Sequence, residues 1–104
     1  MYPKPSYKKN HEKVQRIKLQ STKACYVTGR TDVELHHCLY GKNRRNADKY
    51  GLTVWLVPEY HRGKYGVHNG NVELNRELKQ LAQSEFEKVY SRDEWMKVFE
   101  RNYL

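Results

Sequence analysis

Four of the five histidines fall within residues 36–68: His36, His37, His61 and His68. Imidazole is a good ligand for Zn, Ni, Mn or Fe, and it is also a base that titrates near neutral pH. Metal-assisted hydrolysis needs both functions: ligands that leave a coordination position open, and a base that takes a proton from water. A histidine pair followed by two later histidines can supply both. Neighbouring side chains in a regular strand point to opposite faces. His36 and His37 therefore suit divided labour, one as ligand and one as base, unless the strand end is distorted. A single histidine in this position would be an ordinary polar loop residue. It is the grouping that points to chemistry.

The elements around them follow from patterning. Residues 33–40 (VELHHCLY) alternate, with Val33, Leu35 and Leu39 on one face and Glu34 and Cys38 on the other, which predicts a strand ended by Gly41. Residues 41–51 are polar and basic, a loop or short helix. The β-prone run LTVWLV at residues 52–57 predicts a buried strand, stopped by Pro58. Residues 61–71 hold three glycines and read as an irregular loop. Over residues 72–90, Leu74, Leu78, Leu81, Ala82, Val89 and Tyr90 share one helical face, with Phe86 beside them and Asn71 as N-cap. Ser91 with Glu94 forms a capping box that opens a last helix bearing Trp95, Val98, Phe99 and Tyr103. Upstream, residues 24–29 read as a short strand ending at the Thr28-Gly29 turn. The predicted order is strand, strand, strand, loop, helix, helix.

Charge divides the chain further. The 104 residues carry 20 Lys or Arg against 12 Asp or Glu, a formal net charge of +8, with mean hydropathy −1.05. Residues 1–23 hold net +6, residues 24–70 net +3 and residues 71–104 net −1. Basic stretches of this kind face nucleic acid or an anionic membrane surface. No apolar run approaches the ~20 residues of a membrane span, and no amphipathic basic helix favours the membrane surface. The N-terminus has no apolar signal core, so a reducing compartment is expected and Cys25 and Cys38 are read as free, semi-buried thiols. Two cysteines alone do not make a four-ligand zinc site. Residues 1–23 are expected to be a flexible basic arm, and residues 24–104 one domain.

The series Leu35-His36-His37, Tyr50-Gly51-Leu52, Leu56-Val57-Pro58-Glu59-Tyr60-His61-Arg62-Gly63 and Gly66-Val67-His68 resembles the HNH nucleases, the ββα-metal class. Within it, the chain is similar to small phage-encoded proteins related to the RecA-dependent recombination-enhancement nucleases. The similarity covers roughly residues 24–104, including the ending Phe99-Glu100-Arg101-Asn102-Tyr103-Leu104. It implies an α+β fold: a small ββα-metal domain with a short antiparallel hairpin, the basic arm, and two C-terminal helices. It implies that His37 is the general base, and that His36, His61 and His68 are ligands of one divalent ion (Zn, Mg, Mn or Ni), the roles of His36 and His37 being exchangeable. The implied partner is DNA, with a RecA-like recombinase filament as a second, in the cytoplasm of a bacterial host of a phage or prophage.

Three departures stand out. The middle Asn of the family pattern is not where Gly51 and Leu52 stand, and Asn46 is the nearest candidate for that catalytic position. Relatives with Cys-x-x-Cys zinc pairs would have cysteines at Thr28, Val57 and Tyr60 besides Cys25, so no structural zinc is expected. Cys38 is read as packing.

Cations near the histidines would hold phosphates: Lys42, Arg44 and Arg45 in the loop after the histidine strand, and Arg62 and Lys64 after His61. Tyr40, Tyr50, Tyr60 and Tyr65 are either stacking platforms for bases or half-buried packing. Lys4, Lys8, Lys9, Lys13, Arg16 and Lys18 make the arm a nonspecific DNA tether, a solubilising tail or a protein-binding strap. The leading expectation is a metal-dependent HNH-type DNA endonuclease. The alternative is a catalytically weak or inactive DNA-binding module of the same shape, and a third reading is an RNA-binding or ribosome-associated basic protein. The neutral last third is read as scaffold, away from the DNA.

Overall fold

Val54, Trp55 and Thr53 are residue types that fit a pleated, half-buried surface, and Thr53–Leu56 forms strand β2. It pairs antiparallel with β1, Glu34–His37, in the register Glu34 to Leu56, Leu35 to Trp55, His36 to Val54 and His37 to Thr53. The computed structural model describes residues 14–104. Between the strands lie a 3₁₀ turn, Gly41–Asn43, and helix α1, Arg44–Tyr50. After β2 comes the one-turn helix α2, Pro58–His61, with Pro58 at its start, where a missing N–H costs nothing. Helix α3, Val72–Val89, and helix α4, Arg92–Phe99, complete a small α+β fold. Among the described residues, no helix is long and apolar enough to cross a membrane.

The core lies where α3 and α4 cover the sheet and α1. Leu74, Leu78, Ala82 and Phe86 recur every four residues on α3 and are buried. They meet Val54, Leu56, Leu52 and Ala47 from the sheet side, and Trp95 and Phe99 from α4. Both predicted caps form. The Asn71 side chain accepts from the Leu74 N–H at 3.1 Å, and Ser91 Oγ accepts from the Glu94 N–H at 3.1 Å.

Several expectations are corrected. Residues 24–29 are a turn, because the Thr28-Gly29 reversal closes the segment at once: the Gly29 N–H donates to the Cys25 carbonyl at 2.9 Å. The histidine strand is shorter than residues 33–40, and its buried side carries His36 while Leu35 is 40% exposed. The apolar alternation points to the wrong face because the inward position is taken by a polar site. Residues 41–51, read as a loop or short helix, do hold a short helix, and with residues 24–29 no longer a strand the order becomes strand, helix, strand, then three helices. On α3, Val89 is exposed and Gln83 is fully buried instead.

Residues 1–13 of the expected arm lie outside the described residues. Residues 14–23, also assigned to it, pack on the domain. Ile17 is buried, and its N–H donates to the Tyr50 carbonyl at 2.8 Å. A Cβ on Gly51 would stand 2.2 Å from the Ile17 carbonyl oxygen, and Gly51 has φ +77°, so only glycine allows this approach. Arg16 is not a free tether here, since it donates to the Asp48 carbonyl at 2.6 Å, at the C-terminal end of α1.

Candidate metal centre and basic cleft

His36 reaches the interior because position 36 is the inward residue of β1, opposite Val54. His61 arrives on the last residue of α2. His68 arrives on the glycine-rich segment that follows, which folds back on α2. The His68 N–H donates to the His61 carbonyl at 3.0 Å, and the Val67 N–H to the Tyr60 carbonyl at 3.0 Å. A Cβ on Gly66 would lie 2.6 Å from the His61 carbonyl oxygen, so a side chain there would push the segment away. Glycine at 66 is what lets His68 stand beside His61.

The three rings converge. Centroids are 5.3 Å apart for His36 and His61, 5.0 Å for His36 and His68, and 4.9 Å for His61 and His68. One nitrogen from each lies within 4.8 Å of the others. Ligand atoms on one tetrahedral ion sit ~2 Å from it, so the rings need to draw in by only about an ångström. His36 is 1% exposed, and neither of its ring nitrogens has a hydrogen-bond partner among the described residues. Buried polar atoms are paired as a rule, and each exception calls for an explanation. Burial, reinforced by the neighbouring His68 and His61, pushes His36 down to about 3, so it is a neutral imidazole at physiological pH. Neutral imidazole is the ligating form. The residues present thus fit a metal ion, and an all-imidazole donor set suits Zn or Ni better than Mg, which prefers oxygen.

Glu34, which the apolar alternation places outward, shares the face of His36. Its Oε1 lies 2.8 Å from His61 Nδ1. A carboxylate on Nδ1 fixes the ring and leaves Nε2 for an ion. Arg62 grips the same carboxylate with Nη2 at 2.6 Å and Nε at 3.0 Å, and this hydrogen bonding, ahead of that from His61, holds Glu34 down at about 2. Arg62, expected as a phosphate contact, is therefore engaged in holding Glu34. The signal for Glu34 is its position: a carboxylate two residues before His36 must share its face.

His37 takes the other side of the strand and stands outside the cluster. Its Nε2 lies 3.1 Å from Asp48 Oδ1 on α1. It opens on a cleft of about 880 Å³ lined by Lys42, Arg44, Arg45, Asn46 and Asp48. A smaller recess joins it to His61, His68 and Tyr40. Asn46 lines the cleft, but the hydrogen-bond partner of His37 is Asp48, two residues further on. Asp48 escapes a reading of the sequence because nothing in residues 41–51 distinguishes α1 from a loop.

Of the five expected phosphate contacts, Arg44 and Arg45 are exposed in the cleft and form no ion pair among the described residues. Lys42 pairs with Glu100 at 2.6 Å, and Lys64 sits 5.5 Å from the Tyr65 ring centre. Cys25 and Cys38 are both buried free thiols. No family model, curated protein or solved structure matches the chain.

Proposed function

We propose that this chain is a metal-dependent endonuclease of the HNH, ββα-metal type, hydrolysing phosphodiester bonds in DNA. The observation that carries the reading is the His36–His61–His68 cluster, with both nitrogens of buried His36 left without partners among the described residues. The resemblance of the ordered motif series to phage-encoded HNH proteins supports it, and so does the order of two antiparallel strands followed by a short helix that ends in His61.

In this reading His36, His61 and His68 would hold one divalent ion, Zn or Ni in preference to Mg. Bound there, the ion supplies charge neutralisation at the scissile phosphate and its leaving oxygen. His37 accepts the proton of the attacking water. Asp48 on Nε2 keeps the ring in one orientation, so that Nδ1 is the nitrogen left to take that proton. Arg44 and Arg45 hold flanking phosphates, which positions the strand without reading its sequence. A recombinase filament is the partner that the resemblance suggests for delivering the DNA.

The test is cleavage of supercoiled plasmid with Zn, Ni, Mn and Mg, in the presence and absence of a recombinase filament. Wild type cuts, and His37→Ala cuts at least 100-fold more slowly while keeping its metal-induced rise in melting temperature. Equal cutting by His37→Ala removes the mechanism. Absence of any stabilisation by added metal removes the site. DNA binding without cleavage under every condition leaves a binding module of the same shape.

A further inference from the structure

The last third of the chain is electrically neutral as a sum, but its cations are not equivalent. Lys88 pairs with Glu85, and Arg92 with Glu87. Arg76, Lys79, Lys97 and Arg101 form no ion pair among the described residues, but only Arg76, Lys79 and Arg101, together with Asn75, Val72 and Tyr103, line one recess of about 190 Å³. Lys79 Nζ lies between two rings, 4.9 Å from the centre of Tyr40 and 5.3 Å from that of Tyr103. The Arg101 guanidinium is 5.5 Å from the Tyr103 ring. Cations held over aromatic faces keep their charge outward while their position is fixed.

This surface is built, not a loose tail. After α4 the backbone turns through Glu100 at φ +68° and runs back across α3. Trp95 Nε1 donates to the Arg101 carbonyl at 2.7 Å, and Gln80 Nε2 donates to the Tyr103 carbonyl at 2.9 Å. Buried Gln83 accepts from the Tyr103 N–H at 2.7 Å and donates to Asn102 Oδ1 at 2.8 Å. Two buried or half-buried glutamines and a tryptophan thus fix a short segment whose outward products are one arginine and one tyrosine.

The strip also adjoins the histidine cluster. Tyr40, under Lys79, has its ring 5.6 Å from His68 and 6.4 Å from His36, and it lines the recess shared by His37 and His61. The cleft of Arg44 and Arg45 opens from the His37 side. From Arg101 through Lys79 and Tyr40 to His68, then His37 and Arg44, cationic and aromatic side chains succeed one another.

We infer that Arg76, Lys79, Arg101, Tyr40 and Tyr103 form a second DNA-binding strip, which holds the backbone on the other flank of the histidine cluster from Arg44 and Arg45. This rests on the proposed nuclease reading. DNA is the occupant because the strip presents cations without ion-pair partners among the described residues, held in place over the Tyr40 and Tyr103 rings, which can neutralise a phosphate backbone, and because it is continuous with the site where a phosphate would be cut.

The experiment measures binding of a 30-base-pair duplex to the full chain in EDTA from 50 to 200 mM salt. The triple variant R76Q/K79Q/R101Q is compared with R44Q/R45Q and with K88Q/R92Q/K97Q, which removes the same charge from residues that do not line the recess. Each phosphate contact contributes ~0.9 to the slope of log affinity against log salt. The expected result is a slope shallower by about 2.7 and at least tenfold weaker binding for the strip variant at 100 mM salt, with little change for the control triple. Melting curves check that all variants fold. If wild type and the control triple bind while R44Q/R45Q weakens binding and the strip variant does not, the strip is wrong and the nuclease reading stands. If the control triple weakens binding as much as the strip variant, the effect is net charge and the strip is wrong. If wild type neither binds nor cuts DNA, the nuclease reading falls and the strip falls with it.

Discussion

Two regions of this small protein are built from rings, and they are finished to different degrees. Between α1, α3 and α4, Tyr50, Phe86, Tyr90, Trp95 and Phe99 meet mostly edge to face, at centroid distances from 4.2 Å for Trp95 and Phe99 to 6.4 Å for Tyr50 and Phe99. The polar atoms of Tyr90 and Trp95 are served: the Tyr90 hydroxyl donates to the Gln15 carbonyl at 2.9 Å, and Trp95 Nε1 to the Arg101 carbonyl at 2.7 Å. Under the sheet, His36, His61 and His68 make an equally close cluster, yet His36 is buried with neither nitrogen hydrogen-bonded among the described residues. A chain that satisfies the indole of Trp95 and the amide of Gln83 has the means to satisfy an imidazole. The difference is that Trp95 and Gln83 have hydrogen-bond partners, whereas the ring nitrogens of His36 have none among the described residues.

The largest effect should come from the finished block. Phe86 is fully buried and touches Tyr50, Tyr90, Trp95 and Phe99. Phe86→Ala should cost about 3–5 kcal/mol, a large part of the stability of a domain this size, read as the shift in urea midpoint. A loss under 1 kcal/mol would mean that the block is not packed as described.

The unfinished cluster should respond in the opposite sense. An unpaired buried polar group costs ~1–3 kcal/mol, and replacing it by an apolar group of similar size can be neutral or stabilising. His36→Leu should therefore melt no lower than metal-free wild type, and it should lose the metal-induced rise altogether. For wild type that rise is worth about 2.7 kcal/mol at a metal concentration of 100 times Kd. A strongly destabilised His36→Leu would show that His36 is a packing residue like its aromatic counterparts, and the contrast between the regions would collapse.

Glu34 sharpens the contrast, since it belongs to neither the rings nor the cleft. It holds His61 Nδ1 and is itself held by Arg62. Glu34→Gln should weaken metal affinity 10–100-fold, measured by competition with a chromophoric chelator, with the metal-free melting temperature changed little because the Arg62 pair is exposed. Unchanged affinity would mean that His61 is oriented by its backbone alone.

How far the sequence reveals these regions differs with the length of the pattern. The helix over residues 72–89 spans five turns, so its four-residue period and its Asn71 cap are legible from residue types and spacing alone. The grouping of four histidines within residues 36–68 is legible from spacing too, but the choice of His36, His61 and His68 as the converging set is what the resemblance to the HNH nucleases implies. Glu34 and Asp48 are hidden for different reasons. A four-residue strand is too short for alternation to reveal its inner face, and the apolar residues Val33, Leu35 and Leu39 outvote the polar residue that is actually buried. Asp48 meets His37 only because residues 44–50 form a helix, and a basic polar segment carries no apolar period to announce one. Gln83 is hidden because its partners, Asn102 and Tyr103, lie on a returning tail that only tertiary packing brings into reach.

The smallest effect separates the regions most finely, because it uses two substitutions of similar cost. Ser91 caps α4, which carries only the aromatic block; Asn71 caps α3, and it also ties down the segment that brings His68. Asn71 Nδ2 donates to the Tyr65 carbonyl at 2.9 Å, and its N–H donates to the Gly66 carbonyl at 3.1 Å. Loss of either cap side chain should cost about 1 kcal/mol of stability. Ser91→Ala should leave metal affinity as it is in wild type. Asn71→Ala should lower it several-fold, because the bond to Tyr65 is lost while the backbone bond to Gly66 remains, so the His68 segment is loosened and not released. Equal metal affinity in the two variants would mean that the Gly66 backbone contacts alone place His68, and the helix that closes the core would then have no part in building the site.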